Sequence, residues 1–273
     1  MDPRRPVVTS TGNAAVKAAR RLTGRRRGSG DGVLVEGPQA VREALDHLER
    51  LFVAPRAFDA QARLVLRAQG RGVEVIAVSD AVLGSIAGTV TPQGLIGVAT
   101  LAGHALDDVL PVAGLVLAVA GLADPGNAGT ILRTADAAGA DAVVLTAGSV
   151  DVRNPKAVRA SAGSLFHLPV VVGAAVDELV DGCRRHGLRL VAADARGDVA
   201  HTEVDLRPPT ALLFGGEASG LVEGLRERCD AVVRVPMHSR PRPGFTGRPE
   251  SLNVAAAVAV VAFEAARQRR DPS

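Results

Sequence analysis

The run Leu115-Val116-Leu117-Ala118-Val119-Ala120 constrains this chain more than any other stretch. Six consecutive apolar residues fit a strand buried on both faces, and such strands belong to parallel sheets covered by helices on each side. The next thirty residues agree with that reading. Asp124-Pro125-Gly126-Asn127 reads as a turn, a helix opens at Asn127 or Ala128 and reaches Ala138, and Ala142-Val143-Val144-Leu145 is the next strand. That order is a βαβ unit. Further apolar strands are expected at 169–172, 189–193 and 211–214, with helices over 154–161, 177–186 and 221–228. An open parallel sheet binds its ligands at the carboxyl ends of its strands, so the loops there hold the candidate site.

The last quarter of the chain repeats the strand-to-helix theme with a long interruption. Ala231-Val232-Val233-Arg234-Val235-Pro236-Met237 ends a strand, and a Pro/Gly/Arg-rich loop spans 238–250 with Arg240, Arg242 and Arg248. Ser251-Leu252-Asn253 then opens a helix that is apolar almost without a break from Val254 to Phe263. Such a helix is expected to be buried on most of its faces. Ser251 stands where an N-cap is wanted, which leaves Asn253 as a polar group at the mouth of a buried helix.

The first hundred residues alternate shorter strands and helices, as a small α/β layer domain does. Strands are expected at 33–37, 50–54 and 73–78, and the segment 91–99 follows the last helix of this half. Pro38 stands at the first position of one helix, Ser79 caps another over 80–86, and a third covers 59–69 with Leu64, Val65 and Leu66 inward. Residues 101–111 read as a linker. The expected domains are therefore 1–103, a linker at 104–111, and 112–273.

Charge is distributed unevenly. Residues 1–30 hold Arg4, Arg5, Lys17, Arg20, Arg21, Arg25, Arg26 and Arg27 against Asp2, a local excess of seven positive charges in a chain of net charge +3. A basic arm on a mildly acidic body fits a phosphate-backbone partner. Lys17 and Lys156 are the two lysines, so nearly all the positive charge is guanidinium, which suits bidentate phosphate contacts. With no Trp, no Tyr and six Phe, an aromatic platform for stacked bases is not expected. No signal peptide and no membrane-spanning run stand out, and the chain reads as cytoplasmic. Cys183 and Cys229 lack neighbours at metal-ligand spacing, so they read as reduced thiols and no metal is expected.

Three segments carry the candidate chemistry: Ala123-Asp124-Pro125-Gly126-Asn127-Ala128-Gly129-Thr130-Ile131-Leu132-Arg133, then Leu212-Leu213-Phe214-Gly215-Gly216-Glu217-Ala218-Ser219-Gly220-Leu221, then Val235-Pro236-Met237 with Ser251-Leu252-Asn253. In this order and spacing they resemble the three motifs of the SpoU/TrmH family of RNA ribose 2′-O-methyltransferases, in the SPOUT superfamily. The first hundred residues are similar to the N-terminal substrate-binding domain of many such enzymes, which looks like the kink-turn-binding ribosomal proteins. That likeness rests on Thr9-Ser10 with Asn13, the basic run, Glu36-Gly37 and Thr91-Pro92-Gln93-Gly94.

The resemblance implies an α/β fold whose C-terminal domain is a parallel sheet with a deep trefoil knot, and a homodimer paired near the cofactor sites. It implies S-adenosyl-L-methionine as methyl donor, held chiefly through backbone groups at Leu213, Gly215, Gly216, Glu217, Gly220, Val235, Pro236, Met237, Ser251, Leu252 and Asn253. Residues without side-chain bulk at the glycines let a ligand approach closely. Asn127, Arg133, Glu217 and Asn253 match the catalytic positions. As a literal base Arg133 is chemically awkward, because a guanidinium stays protonated and has no acceptor to offer. Holding the neighbouring phosphate and polarising the hydroxyl suits it better, and Glu217 suits accepting hydrogen bonds from loop N–H groups or Asn127. Arg159 and Ser161 match a family segment near substrate phosphate, and join Arg20, Arg21, Arg25, Arg26 and Arg27 as expected RNA contacts. Two departures stand out: the 238–250 loop is longer than usual, as an RNA-contacting lid would be, and Gly216 stands where Asn is common.

Large-subunit ribosomal RNA is the expected substrate, and some relatives confer resistance to ribosome-directed antibiotics. The other readings are a transfer-RNA ribose methyltransferase and a non-catalytic RNA-binding protein that keeps the fold. A nucleotide-dependent oxidoreductase is a poor third reading, because no G-x-G-x-x-G loop follows the first strand of the second domain and the acidic ribose reader about 20 residues beyond such a loop is missing.

Overall fold

The computed structural model describes residues 6–23, 32–217, 220–238 and 250–270. The chain divides into two compact units. Residues 1–102 with 153–167 form one, and 103–152 with 168–273 the other.

The first unit begins with α1 (Ala14–Arg21), capped by Asn13, whose Oδ1 accepts from the N–H groups of Ala15 and Val16 at 2.9 and 3.4 Å. Then come β1 (Gly32–Glu36), α2 (Pro38–Glu43), β2 (Leu48–Val53), α3 (Pro55–Ala60), α4 (Ala62–Gly70), β3 (Glu74–Ala77), α5 (Asp80–Ile86) and β4 (Leu95–Thr100). Pro38 opens α2, and Ser79 Oγ accepts from Val82 N, as expected. The four strands pair in the order β1-β4-β2-β3, with β4 antiparallel to both of its neighbours. One face of this sheet packs Phe52, Ile96 and Val98 against Val16 and Ala19 of α1 and Val82, Leu83 and Ile86 of α5. The helix expected over 59–69 is two, α3 and α4. Leu64 and Val65 are buried, but Leu66 is 65% exposed because it falls on the outer face of α4 with Arg63 and Arg67.

The second unit holds α6 (Leu106–Val109), β5 (Leu115–Val119), α7 (Pro125–Ala138) and β6 (Ala142–Thr146). The chain then runs through α8 (Pro155–Ser161), which folds with the first unit. It returns as β7 (Val170–Ala174), α9 (Val176–Arg185), β8 (Arg189–Ala193), β9 (Val199–Ala200), β10 (Thr210–Phe214), β11 (Ala231–Arg234) and α10 (Val254–Arg270). The seven strands are parallel throughout and order as β7-β6-β5-β10-β8-β11-β9. The apolar runs at β5, β6 and β10 are buried at every position, as two-sided burial requires.

Several expectations shift. The stretch 104–111 is no bare linker: Asp108 Oδ2 accepts from Ala105 N at 2.8 Å, so α6 forms and buries Val109 and Leu110 in the core of the second unit. Helix α7 starts at Pro125 rather than Asn127, because Asp124 Oδ1 accepts from Asn127 N at 2.9 Å and makes Asp124 the cap. No α-helix spans 221–228. Gly224 sits at φ +73, and only a 3₁₀ turn at Arg226–Arg228 forms there. Ser251 does not cap α10. Asn253 does, its Oδ1 accepting from Ala255 N at 2.9 Å. Nor is α10 buried on most faces. Ala255, Val258, Val261, Ala262, Ala265 and Ala266 face the core, whereas Val260 and Phe263 are 37% and 48% exposed.

Segment 153–167 is packed tightly into the first unit. Gly163 has φ +106, and a Cβ there would collide with the side chain of Glu43. His167 pairs with Glu43 at 3.3 Å, and the rings of His47 and Phe166 lie 5.4 Å apart. Cys183 is fully buried, and burial pushes its thiol up to about 12. Among the described residues no helix is long and apolar enough to cross a membrane, and no group of three or more His, Cys, Asp or Glu could hold a metal.

Candidate active site

All strands of the large sheet run the same way, so the segments after β5, β10 and β11 emerge at one edge. Each is held by specific hydrogen bonds. After β5, Ala120 N donates to Phe214 O at 2.9 Å, Gly121 N to Thr146 Oγ1 at 3.2 Å and Leu122 N to Ser149 Oγ at 3.1 Å. The Asp124 cap then turns the chain into α7 and sets Asn127 in its first turn.

After β10 the backbone folds back on itself. Gly216 N donates to Gly220 O at 3.1 Å and Gly220 N to Gly216 O at 3.0 Å, a closed bridge around Glu217. This tight return explains the glycines. A Cβ on Gly215 would run into the backbone of Gly220, and one on Gly216 would stand 2.8 Å from Ala120 O. At both positions main chain packs directly on main chain, and only glycine leaves room for that. Leu213 is buried in the core of the second unit, so only its backbone faces the strand end. Beyond β11, Val235 and Pro236 are half-buried, and Met237 and Leu252 are 39% and 36% exposed. These are apolar side chains left open to solvent at a strand end.

The polar residues of the three segments meet. Asn253 Nδ2 donates to Asn127 Oδ1 at 3.5 Å, and Asn127 Nδ2 donates to Glu217 Oε1. Because Asn253 Oδ1 is taken by the first turn of α10, the chain of donors has one direction, from α10 through α7 to the glycine loop. Glu217 is the acceptor at its end, the role expected of it. Arg133 does not join this chain. Six residues beyond Asn127 it is rotated about 240° around α7 and displaced about 9 Å along it. It is exposed and has no hydrogen bond or ion pair among the described residues.

The expected RNA contacts divide. Lys17, Arg20 and Arg21 are exposed on α1, and none has a partner among the described residues. Arg159 Nη1 lies 3.5 Å from Glu36 Oε1, within the first unit, so part of its charge is answered by the protein. Ser161 is corrected: it is fully buried and its hydroxyl donates to Val158 O at 2.8 Å, which removes it from any surface. Arg25, Arg26 and Arg27, and the 239–249 loop with Arg240, Arg242 and Arg248, lie outside the described residues. Sequence reasoning missed Asp124, Thr146 and Ser149 as the braces of the first segment. The N-cap pattern at Asp124-Pro125 was the available signal for one of them.

Comparisons with known proteins agree with this architecture. The sequence model of the SpoU rRNA Methylase family matches residues 114–263, and that of the MRM3-like substrate binding domain matches 13–97. The chain is 31% identical to the 23S rRNA (guanosine(2553)-2′-O)-methyltransferase RlmP of Bacillus subtilis, over 94% of this chain and 97% of that protein. An rRNA methyltransferase of Sinorhizobium meliloti with AdoMet bound superimposes with a TM-score of 0.83 at 32% identity, covering 96% of this chain and 97% of that one. AviRb of Streptomyces viridochromogenes, in complex with AdoMet, gives 0.80 at 31% identity over 94% and 99%.

Proposed function

This chain belongs to the SpoU rRNA methylase family and is an S-adenosylmethionine-dependent RNA methyltransferase, and from that premise we propose that it methylates a ribose 2′-hydroxyl of large-subunit ribosomal RNA. The observation that carries the site assignment is the directed chain from Asn253 through Asn127 to Glu217, which ties together three segments far apart in sequence. RlmP acts on 23S rRNA, and its likeness runs nearly end to end, which supports the substrate.

S-adenosylmethionine, when bound, supplies an electrophilic methyl group. The backbone of Gly215, Gly216 and Gly220 holds it, with Val235, Pro236, Met237 and Leu252 as the apolar wall and Leu213 and Ser251 contributing main chain. The chain's own side chains then do the positioning. Asn127, fixed at both ends of its carboxamide, locks the glycine loop to α7. Glu217 accepts from Asn127 as a structural carboxylate rather than as a base. Arg133 keeps its guanidinium donors for the phosphate beside the target ribose, and polarises the 2′-hydroxyl so that phosphate or water takes its proton. Lys17, Arg20 and Arg21 of α1, unpartnered among the described residues, bind RNA backbone.

The same reading assigns residues 1–103 to substrate binding and 112–273 to methyl transfer, with a trefoil knot enclosing the cofactor. A homodimer is supported by Val260 and Phe263, one turn apart on the open side of α10. The enzyme acts where ribosomal RNA is made, in the cytoplasm. The decisive experiment is transfer from labelled S-adenosylmethionine to ribosomal and transfer RNA, with Arg133→Lys and Arg133→Ala alongside. Expected is label in 23S rRNA at a position resistant to alkaline cleavage. Both variants should lose most turnover and keep cofactor affinity. A nearly unaffected rate in Arg133→Lys refutes the role of the fork, and label in transfer RNA alone refutes the substrate.

A further inference from the structure

The first unit carries a groove that the transfer chemistry does not use. It runs between α1 and β3, the edge strand of the four-stranded sheet, is closed at one end where Val8 N donates to Ala77 O at 2.9 Å and Pro6 and Val8 join the lining, and has a volume of about 680 Å³. Its helix side is built from Ala14, Ala15 and Ala18 and its strand side from Val75 and Ile76, both half-buried. The other side of α1, Val16 and Ala19, is buried against the core. Alanine at all three groove-facing positions is what keeps the space open, since any larger side chain would fill it.

The polar groups lie at the margin. Asn13 uses its Oδ1 on the N–H groups of Ala15 and Val16, which leaves its NH₂ as a donor with no acceptor among the described residues. Arg50 Nε pairs with Glu74 Oε2 at 2.6 Å, leaving the second carboxylate oxygen and the guanidinium NH₂ groups as an adjacent acceptor and donors. An apolar slot with donors and an acceptor along its edge suits a flat heterocycle with a polar rim. The surrounding charge selects the kind of molecule that brings one. Helix α1 has no acidic residue in its first turn, its Lys17, Arg20 and Arg21 are unpartnered among the described residues, and Arg21 follows Ala14 and Ala18 on the same side of the helix.

We propose that this groove receives one unstacked nucleobase of the RNA substrate, with the adjoining phosphates on Arg21 and Lys17. This deepens the reading of the chain as an RNA methyltransferase and rests on it. It adds a base-sized anchor, built without aromatic side chains, to a surface otherwise suited to backbone contacts.

The test uses the full chain and deproteinised 23S rRNA, with filter binding at several salt concentrations and S-adenosylmethionine affinity by calorimetry. Ala18→Phe fills the groove. Arg21→Gln removes one rim charge. Ala62→Phe places the same bulk on the exposed start of α4, away from the groove. Ala18→Phe should weaken RNA binding about tenfold with cofactor affinity unchanged. Arg21→Gln should lower the salt slope by about one, and Ala62→Phe should stay within twofold of the unmodified chain. If Ala18→Phe lowers the melting temperature, Ala14→Leu carries the same comparison. RNA binding by a folded groove-filling variant as tight as that of the unmodified chain overturns the proposal, as does an equal loss in Ala62→Phe. Failure of methyl transfer by the unmodified chain would count against the enzymatic reading alone, because these comparisons read binding.

Discussion

The carboxamide of Asn253 is oriented by the N–H of Ala255, which turns its NH₂ end toward Asn127 Oδ1 and so turns the NH₂ of Asn127 toward Glu217. One side chain therefore has a capping role and a directing role, and the two can be separated. Asn253→Ala removes both, and should cost about 1 kcal/mol, the usual value of an N-cap. In a chain of this size that lowers Tm by roughly 2–4 °C. Asn253→Asp keeps the cap, with a negative charge that the helix N-terminus favours, but presents an acceptor where Asn127 needs a donor. Its melting temperature should hold while turnover drops at least tenfold, read by thermal melts and single-turnover methyl transfer. Equal turnover in the Asp variant would mean that the direction of the chain is irrelevant. Sequence reasoning placed Asn127, Glu217 and Asn253 in one site, because their motifs follow strands of one parallel sheet. It gave the cap to Ser251, since Ser and Asn are equally good caps and only the backbone path decides between positions two apart.

At the scale of elements, the return after β10 is tightly constrained by main chain on both sides. Gly216 lies against Ala120 O, so the loop after β10 and the loop after β5 are packed main chain to main chain. Gly216→Ala must push these apart. We expect at least a tenfold loss of S-adenosylmethionine affinity by calorimetry with the helical signal of the protein unchanged, because the collision is confined to strand ends. Unaltered affinity would show that the cofactor is not held by this loop. The continuous apolar runs made β5, β6 and β10 legible, and their burial at every position accords with it. Helix α10 misled for a related reason. Alanine and valine spread over all its faces hide a division between core and surface that depends on what packs alongside, and the one-sided burial of α10 is set by α7 and β10. The missing helix at 221–228 belongs with these: its composition is permissive, but Gly224 adopts a left-handed conformation that ends any regular turn.

For the whole molecule, the open side of α10 makes a definite expectation. Val260 and Phe263 leave apolar surface in water on a helix whose opposite side is packed. Val260→Glu should convert a dimer into a monomer in sedimentation velocity, with little change in the melting of the isolated chain because no core contact is removed. A monomeric parent chain, or a dimeric variant, would show that this surface does not pair copies.

The placement of 153–167 has another consequence, for how such a chain can be dismantled or recombined. The polypeptide passes between its two units three times, at 102/103, 152/153 and 167/168. A cut at the first crossing alone does not yield a complete N-terminal half, since Ala157, Val158 and Leu165 would stay behind on the other fragment with their buried surfaces bare. The two units are adjacent in sequence only in part, and they are not interchangeable cassettes. Swapping one for its counterpart in a relative requires carrying the internal segment along with it.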